Sequence, residues 1–234
     1  MRVMKHRKGQ FVIIAVLMIS IMMVSLGAVL YTAVTYYKRE RWEEYLGIID
    51  HVKISCGRLV EISLANYTLT NNTNILMDNL IRWQSDLKKV YPGFGIILNY
   101  SNLGLACQWY TNVSFSVANV TFTMNITSVG LTGYNFTASV FLRMKILEWM
   151  WVDSKSKELV VRLAVDKEEL VPVTTLKEDN FSLIGLNYTN FSVPRSYNET
   201  YGFIYEIHCN TQAPPLNVEV ALIDSRNIKV IARS

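Results

Sequence analysis

Arg7-Lys8-Gly9-Gln10-Phe11-Val12-Ile13-Ile14-Ala15-Val16-Leu17-Met18-Ile19-Ser20-Ile21-Met22-Met23-Val24-Ser25-Leu26-Gly27-Ala28-Val29-Leu30-Tyr31 is the stretch on which the fold turns. No charged residue occurs between Lys8 and Lys38. At helical rise that run is roughly 43 Å long, more than the hydrocarbon core of a bilayer requires. In lipid each peptide N–H and C=O needs a partner within the segment, so the run is expected to be helical. Tyr31, Tyr36 and Tyr37 then fall where aromatic side chains favour the membrane–water boundary.

The residues before the run carry a resemblance. A basic tail (Arg2, Lys5, Arg7, Lys8), then Gly9-Gln10, then an immediate apolar helix resembles the archaeal class III signal peptide of type IV pilin-like and archaellin-like proteins. The resemblance implies cleavage between Gly9 and Gln10, with the apolar helix kept on the mature protein. It covers about the first 35 residues. An ordinary secretory signal is instead cut after its apolar region, and Ser25-Leu26-Gly27 offers such a place. The apolar run continues past it through Val34, which favours the first reading. One departure bears on function. Polymerising members of the family usually carry a glutamate five residues into the mature chain, and Ile14 stands there instead. Processing and anchoring are unaffected by that change; filament formation is put in question.

The 234 residues suffice for one or two domains with a real core. The formal charge of +4 equals the contribution of Arg2, Lys5, Arg7 and Lys8. Without Met1–Gly9 the side chains are close to neutral, so no basic exterior for nucleic acid is expected. Lys/Arg residues flank the helix on both sides, so charge alone orients it weakly. Asn-x-Ser/Thr sequons orient it better. They occur at Asn66, Asn71, Asn99, Asn112, Asn119, Asn125, Asn135, Asn180, Asn187, Asn190 and Asn198, eleven of the eighteen asparagines. All lie beyond the helix, which points to a translocated, glycosylated carboxyl-terminal part and a cytoplasmic amino terminus.

Cys56, Cys107 and Cys209 allow one disulfide and one leftover thiol, in any of three pairings. No metal site is expected. The histidines are His6, His51 and His208, and His208 and Cys209, adjacent on an alternating strand, face opposite ways. No phosphate loop, nucleophile elbow or zincin motif occurs. Glu168-Glu169 and Glu178-Asp179 read as solvated loop charges rather than an acid–base pair. No catalytic site and no cofactor are expected.

Beyond the membrane, Lys38–Glu44 forms a polar collar. Apolar residues then return at helical spacing: Leu46, Ile49, Val52, Cys56, Leu59, Val60 and Leu64. With no proline between Gln10 and Asn66, one helix over 10–66 is the simplest reading, about 10–37 of it transmembrane. Asn71–Asn74 ends it and offers an N-cap for a second helix over 74–91. Leu76, Leu80, Trp83, Leu87 and Val90 form that helix's apolar stripe, and Pro92-Gly93 stops it.

From Phe94 the period changes to two. Ile96, Leu98 and Tyr100 alternate, as do Leu105, Cys107 and Trp109, then Val120–Ile126 and Phe136–Met144, with a turn over 128–134. Asp153–Lys157 reads as a module break. Strands are expected at 158–166, 171–176, 201–208, 216–223 and 227–233, with a loop-rich crossover over 176–196 and a hairpin around Asp224–Asn227. The expected class is α+β: a long membrane-spanning helix, a second helix, then an antiparallel β-rich ectodomain ending in an immunoglobulin-like β-sandwich. The segments are 1–9 (signal), 10–66 (long helix), 67–152 (helix plus β layer) and 153–234 (sandwich-like module). The functional expectation is a membrane-anchored extracellular archaeal glycoprotein of pilin-like kind, a structural or minor filament or envelope component. Its partners would be the bilayer and other pilin-like or envelope subunits. The rival is a solitary surface binding or adhesion glycoprotein that forms no filament; an anchored hydrolase is a distant third.

Overall fold

A computed structural model describes residues 4–152, 157–200 and 202–234, without the side chains of 4–10 and 37–44. The fold class is α+β, with a long apolar amino-terminal helix, a second helix and antiparallel sheets. The chain divides into two compact units, Met1–Val52 and Lys53–Ser234.

Helix α1 runs unbroken over Met4–Thr70. No proline or paired glycine interrupts it, and Gly27, Gly47 and Gly57 have nothing near their missing Cβ, so none marks a close approach. In the first unit its apolar stretch, Phe11–Tyr36, has no residue buried within the protein. In the second unit Cys56, Val60, Leu64 and Thr68 step by four and are buried. Ile54, Ile62 and Leu69 lie on the opposite side and are exposed. Of the expected stripe, Cys56, Val60 and Leu64 are thus buried and Leu59 is half-buried, whereas Leu46, in the first unit, is 56% exposed.

The helix ends where Asn71 turns left-handed, at φ 56. Of the Asn71–Asn74 stretch, Asn74 takes the cap position without a side-chain cap bond, and the Asn72 Oδ1 accepts the Asn74 N–H at 3.0 Å. Helix α2 spans Ile75–Val90. Leu76, Leu80 and Leu87 are buried and Trp83 is half-buried, but Val90, on the last turn, is exposed. Lys88 and Lys89 occupy the final turn, where the helix dipole favours cations.

The strands are β1 Ile96–Gln108, β2 Val113–Ile126, β3 Leu131–Val152, β4 Glu158–Lys167, β5 Val171–Pro172, β6 Phe181–Leu183, β7 Tyr188–Ser192, β8 Arg195–Asn198, β9 Gly202–Thr211, β10 Glu219–Ile223 and β11 Lys229–Arg233. The larger sheet has the order β1-β2-β3-β4-β9-β7, with β5 beside β4 and β8 beside β9. The smaller is β11-β10-β6. Every ladder is antiparallel.

Period-two alternation decides which face is inside. Val120, Phe122, Met124 and Ile126 of β2 share a buried face with Ala138, Val140, Leu142, Met144 and Ile146 of β3. The register carries that face on to Leu163 and Val165 of β4, then to Tyr205, Ile207 and Cys209 of β9. In β1 the inward set changes from Ile96, Leu98 and Tyr100 to Leu105 and Cys107 across an irregularity between Ser101 and Gly104. One extra residue there, with Asn102 at φ 51, restores the phase. The even-then-odd alternation in the sequence is this bulge.

The module break expected at 153 does not divide the sheet. Asp153–Ser156 lie outside the described residues, but Val152 and Glu158 on either side pair directly. A two-faced strand such as β3 needs a partner for its whole length, and β4 supplies it. The immunoglobulin-like module over 153–234 is therefore replaced by two sheets: β4, β5, β7, β8 and β9 extend the first, and only β6, β10 and β11 form the second. The 176–196 crossover holds the short strands β6 and β7 and the start of β8, while the strand expected over 171–176 is only the two residues of β5. The β10–β11 hairpin around Asp224–Asn227 stands as expected. The small sheet lies against the large one: Tyr110 N–H donates to the Ile231 carbonyl at 3.0 Å, and the Ser116 hydroxyl to the Lys229 carbonyl at 2.7 Å.

Candidate functional site

Two features of the chain bear on function: the apolar part of α1, and the Asn-x-Ser/Thr sequons beyond it. In Phe11–Tyr36 the large side chains are all exposed, Ile14 at 60% among them. The four Ser/Thr hydroxyls of this span turn back onto their own helix. Ser20 donates to the Val16 carbonyl at 2.9 Å, Ser25 to Met22 at 2.9 Å, Thr32 to Ala28 at 2.7 Å and Thr35 to Tyr31. Such back-bonding leaves these hydroxyl protons satisfied without water, as a hydrocarbon surrounding requires. Tyr31 and Tyr36 are exposed near the far end of the stretch. The Gly9–Gln10 junction lies in helical backbone whose side chains, like the Lys38–Glu44 collar's, are outside the described residues.

None of the eleven sequon asparagines is buried. Asn66, Asn71, Asn99, Asn112, Asn119, Asn135, Asn187, Asn190 and Asn198 are exposed, and Asn125 and Asn180 are half-buried. Their settings differ. Asn66 is on α1, and its sequon hydroxyl, Thr68, is buried, donating to Ala65 O (2.8 Å) and accepting from Lys229 N (3.1 Å). The Ser114 hydroxyl that belongs to Asn112 is also buried and donates to the Thr111 carbonyl. Asn180 is clamped at both ends: its Oδ1 accepts from Lys177 N at 2.7 Å and its Nδ2 donates to Ile223 O at 2.8 Å.

Cys56, Cys107 and Cys209 are three free thiols on α1, β1 and β9, so the disulfide considered from their number does not form. Each is seated separately. Burial pushes the Cys56 thiol up to about 11, against a smaller opposing effect of Trp83. Burial, helped by Glu158, does the same for Cys209, to about 11. Cys107 is also raised by burial, and its thiol lies 3.4 Å from the Ser116 hydroxyl. Thiols held this far toward the protonated form are poor nucleophiles and poor metal ligands.

His208 and Cys209 face opposite sides of β9: Cys209 is buried, while His208 stands on the outer face between Glu158 (2.8 Å to Nδ1) and Glu206 (3.6 Å to Nε2). Arg162 continues this row, bridging Glu148 and Glu206, and these two carboxylates, Glu148 foremost, raise its pKa and hold its guanidinium charged. The row was not visible in the sequence, because β3, β4 and β9 had to be aligned before the five residues became neighbours. Among the described residues no group of three or more His, Cys, Asp or Glu is placed to hold a metal ion. Of the paired carboxylates, Glu168 is engaged by Arg226, and Glu169, Glu178 and Asp179 are exposed. A cleft of about 300 Å³ between α1 and α2 is lined by Arg58, Leu59, Ile62, Arg82, Trp83 and Asp86 and gathers no histidine.

Comparison of the chain with family models, curated proteins and solved structures finds no match.

Proposed function

We propose that the protein is a membrane-anchored extracellular glycoprotein of the type IV pilin-like kind, with a structural role at the cell surface. The observation that carries this reading is Phe11–Tyr36: a helical stretch long enough to span a bilayer, bare of burial, with its hydroxyls bonded internally. The element order, one long amino-terminal helix followed by a β-rich unit, is what the Gly9-Gln10 resemblance implies. Eleven sequons, all beyond the span and none buried, support the β-rich unit being outside and the amino terminus inside. No nucleic-acid partner and no enzymatic activity form part of the reading.

Ile14 favours one refinement. Helices packed side by side in a filament gain register from a paired polar group in an apolar setting, and isoleucine offers none. The protein then acts as a minor filament or envelope component, or as a solitary surface glycoprotein, rather than as a major filament subunit. Amino-terminal sequencing of native protein tests the processing: a start at Gln10 is expected, and a start at Ala28 or an intact Met1 contradicts it. Electron microscopy of the purified processed protein tests the refinement. Monomers or small oligomers are expected; long fibres with helical order would overturn it.

A further inference from the structure

Between Lys89 and Arg143 the chain has no charged residue and no histidine. That segment is β1, β2 and the first half of β3, one end of the large sheet. Among the described residues β1 pairs only with β2, so thirteen residues of edge strand carry neither charge nor proline. Edges of this kind are usually blunted by lysine or proline, because unpaired backbone groups template association. Here one bulge, at Ser101–Gly104, is the only such device in the strand itself.

The register places sugar acceptors over this edge. Asn99 of β1 and Asn135 of β3 both stand opposite Thr123 of β2, one from each side. They are therefore about 9.6 Å apart across two strand spacings. Asn119 lies four residues along β2 from Thr123, about 13 Å away, on the same outer face. Gly104, opposite it, has no side chain; a Cβ there would come within 1.8 Å of the Asn119 Oδ1. All three asparagines are exposed, and their sequon hydroxyls are available: Ser101 and Thr137 are exposed, and Thr121 only accepts a 3.5 Å bond from Asn102. Asn135 is further fixed by the Thr123 hydroxyl donating to its Oδ1 at 2.6 Å, a bond that does not engage its Nδ2.

We propose that sugar chains transferred to Asn99, Asn119 and Asn135 of the folded unit coat this face and take the place of charge in protecting the β1 edge. The inference rests on the unit being exported. Transfer joins the asparagine Nδ2 to the anomeric carbon of a lipid-phosphate-linked oligosaccharide. The bond from that carbon to the phosphate oxygen breaks, the phosphate leaves with the electron pair, and the amide gives up one proton. A transferase that recognises the sequon must reach the hydroxyl two residues on. In the folded unit Thr68 and Ser114 deny this at Asn66 and Asn112. Asn125 is half-buried and its sequon hydroxyl, Thr127, is turned onto Gly95 O at 3.3 Å, and Asn180 is clamped at both ends.

Site-resolved glycopeptide mass spectrometry of the full chain from its own host tests this. Sugar on Asn99, Asn119 and Asn135, with Asn66, Asn112, Asn125 and Asn180 bare, is the expected result. Sugar on Asn71, Asn187, Asn190 or Asn198 with those three bare would overturn the coated face while leaving export standing. Sugar on the four tied asparagines as often as on the three would overturn transfer to the folded unit. No sugar at any sequon would contradict export itself. Association supplies the second readout: the N99Q/N119Q/N135Q variant should sediment as oligomers in detergent where N71Q/N187Q/N198Q stays as the wild type. Equal behaviour of the two would overturn the protective role.

Discussion

The Arg226 guanidinium joins three parts of the chain: Asp224 in its own turn (2.7 Å), Glu168 after β4, and the Phe141 carbonyl of β3 at 3.4 Å. Asp224 is buried and also accepts the N–H groups of Arg226 and Ile228. Burial opposes the charge on Arg226, but Asp224 and Glu168 outweigh it and raise its pKa. Removing one member of a mostly buried set leaves the other charge uncompensated. Arg226→Ala should therefore cost about 2 kcal/mol in chemical unfolding of the detergent-solubilised protein. An unchanged midpoint would show that the three parts hold together without it. Burial likewise pushes Glu168 up, yet the Phe141 N–H and Arg226 bonds prevail and hold it below its ordinary 4.5. A depressed carboxylate stabilises the fold above its unfolded pKa and loses that contribution as pH falls through the folded one. Stability should thus fall as the medium is acidified below 4.5, and Glu168→Gln should flatten that part of the profile while lowering stability at neutral pH.

Each helix and strand was legible to the extent that its own periodicity determines it. The step of four through Cys56, Val60, Leu64 and Thr68 survives as a buried ridge, because residues four apart share a helix face. Leu64→Ala should cost about 3 kcal/mol, whereas Ile62→Ala, at an exposed position, should fall within about 0.5 kcal/mol of wild type. Equal effects in chemical unfolding would mean that the helix is not docked by that ridge. The alternation of β2 and β3 was equally plain, as was the β10–β11 hairpin. What escaped was pairing between distant strands. Leu159, Val161, Leu163 and Val165 announce a strand but not that it continues the β3 ladder, so a polar connection read as a module boundary. For the same reason the Glu158–His208–Glu206–Arg162–Glu148 row was hidden. Burial of the Thr68 and Ser114 hydroxyls, which separates reachable sequons from unreachable ones, depends on tertiary neighbours and left no local signal.

At the scale of the whole molecule the account rests on one apolar stretch of α1 and on sequons confined to the residues beyond it. A residue count and a composition suffice to find both, which is why the apolar stretch is legible in the sequence. What the β-rich unit meets is a matter of tertiary arrangement. Gly9→Phe should block processing, leaving a membrane-bound precursor heavier by about nine residues and starting at Met1; a mature-length product would contradict the assigned junction. The central claim is that Phe11–Tyr36 crosses the membrane with everything after it outside. Protease treatment of intact cells, followed by mass spectrometry of what remains in the membrane, measures this directly. Peptides from β10 and β11 should disappear while the fragment containing Phe11–Tyr36 survives. Survival of the carboxyl terminus at Ser234 with loss of the amino-terminal segment would contradict the account.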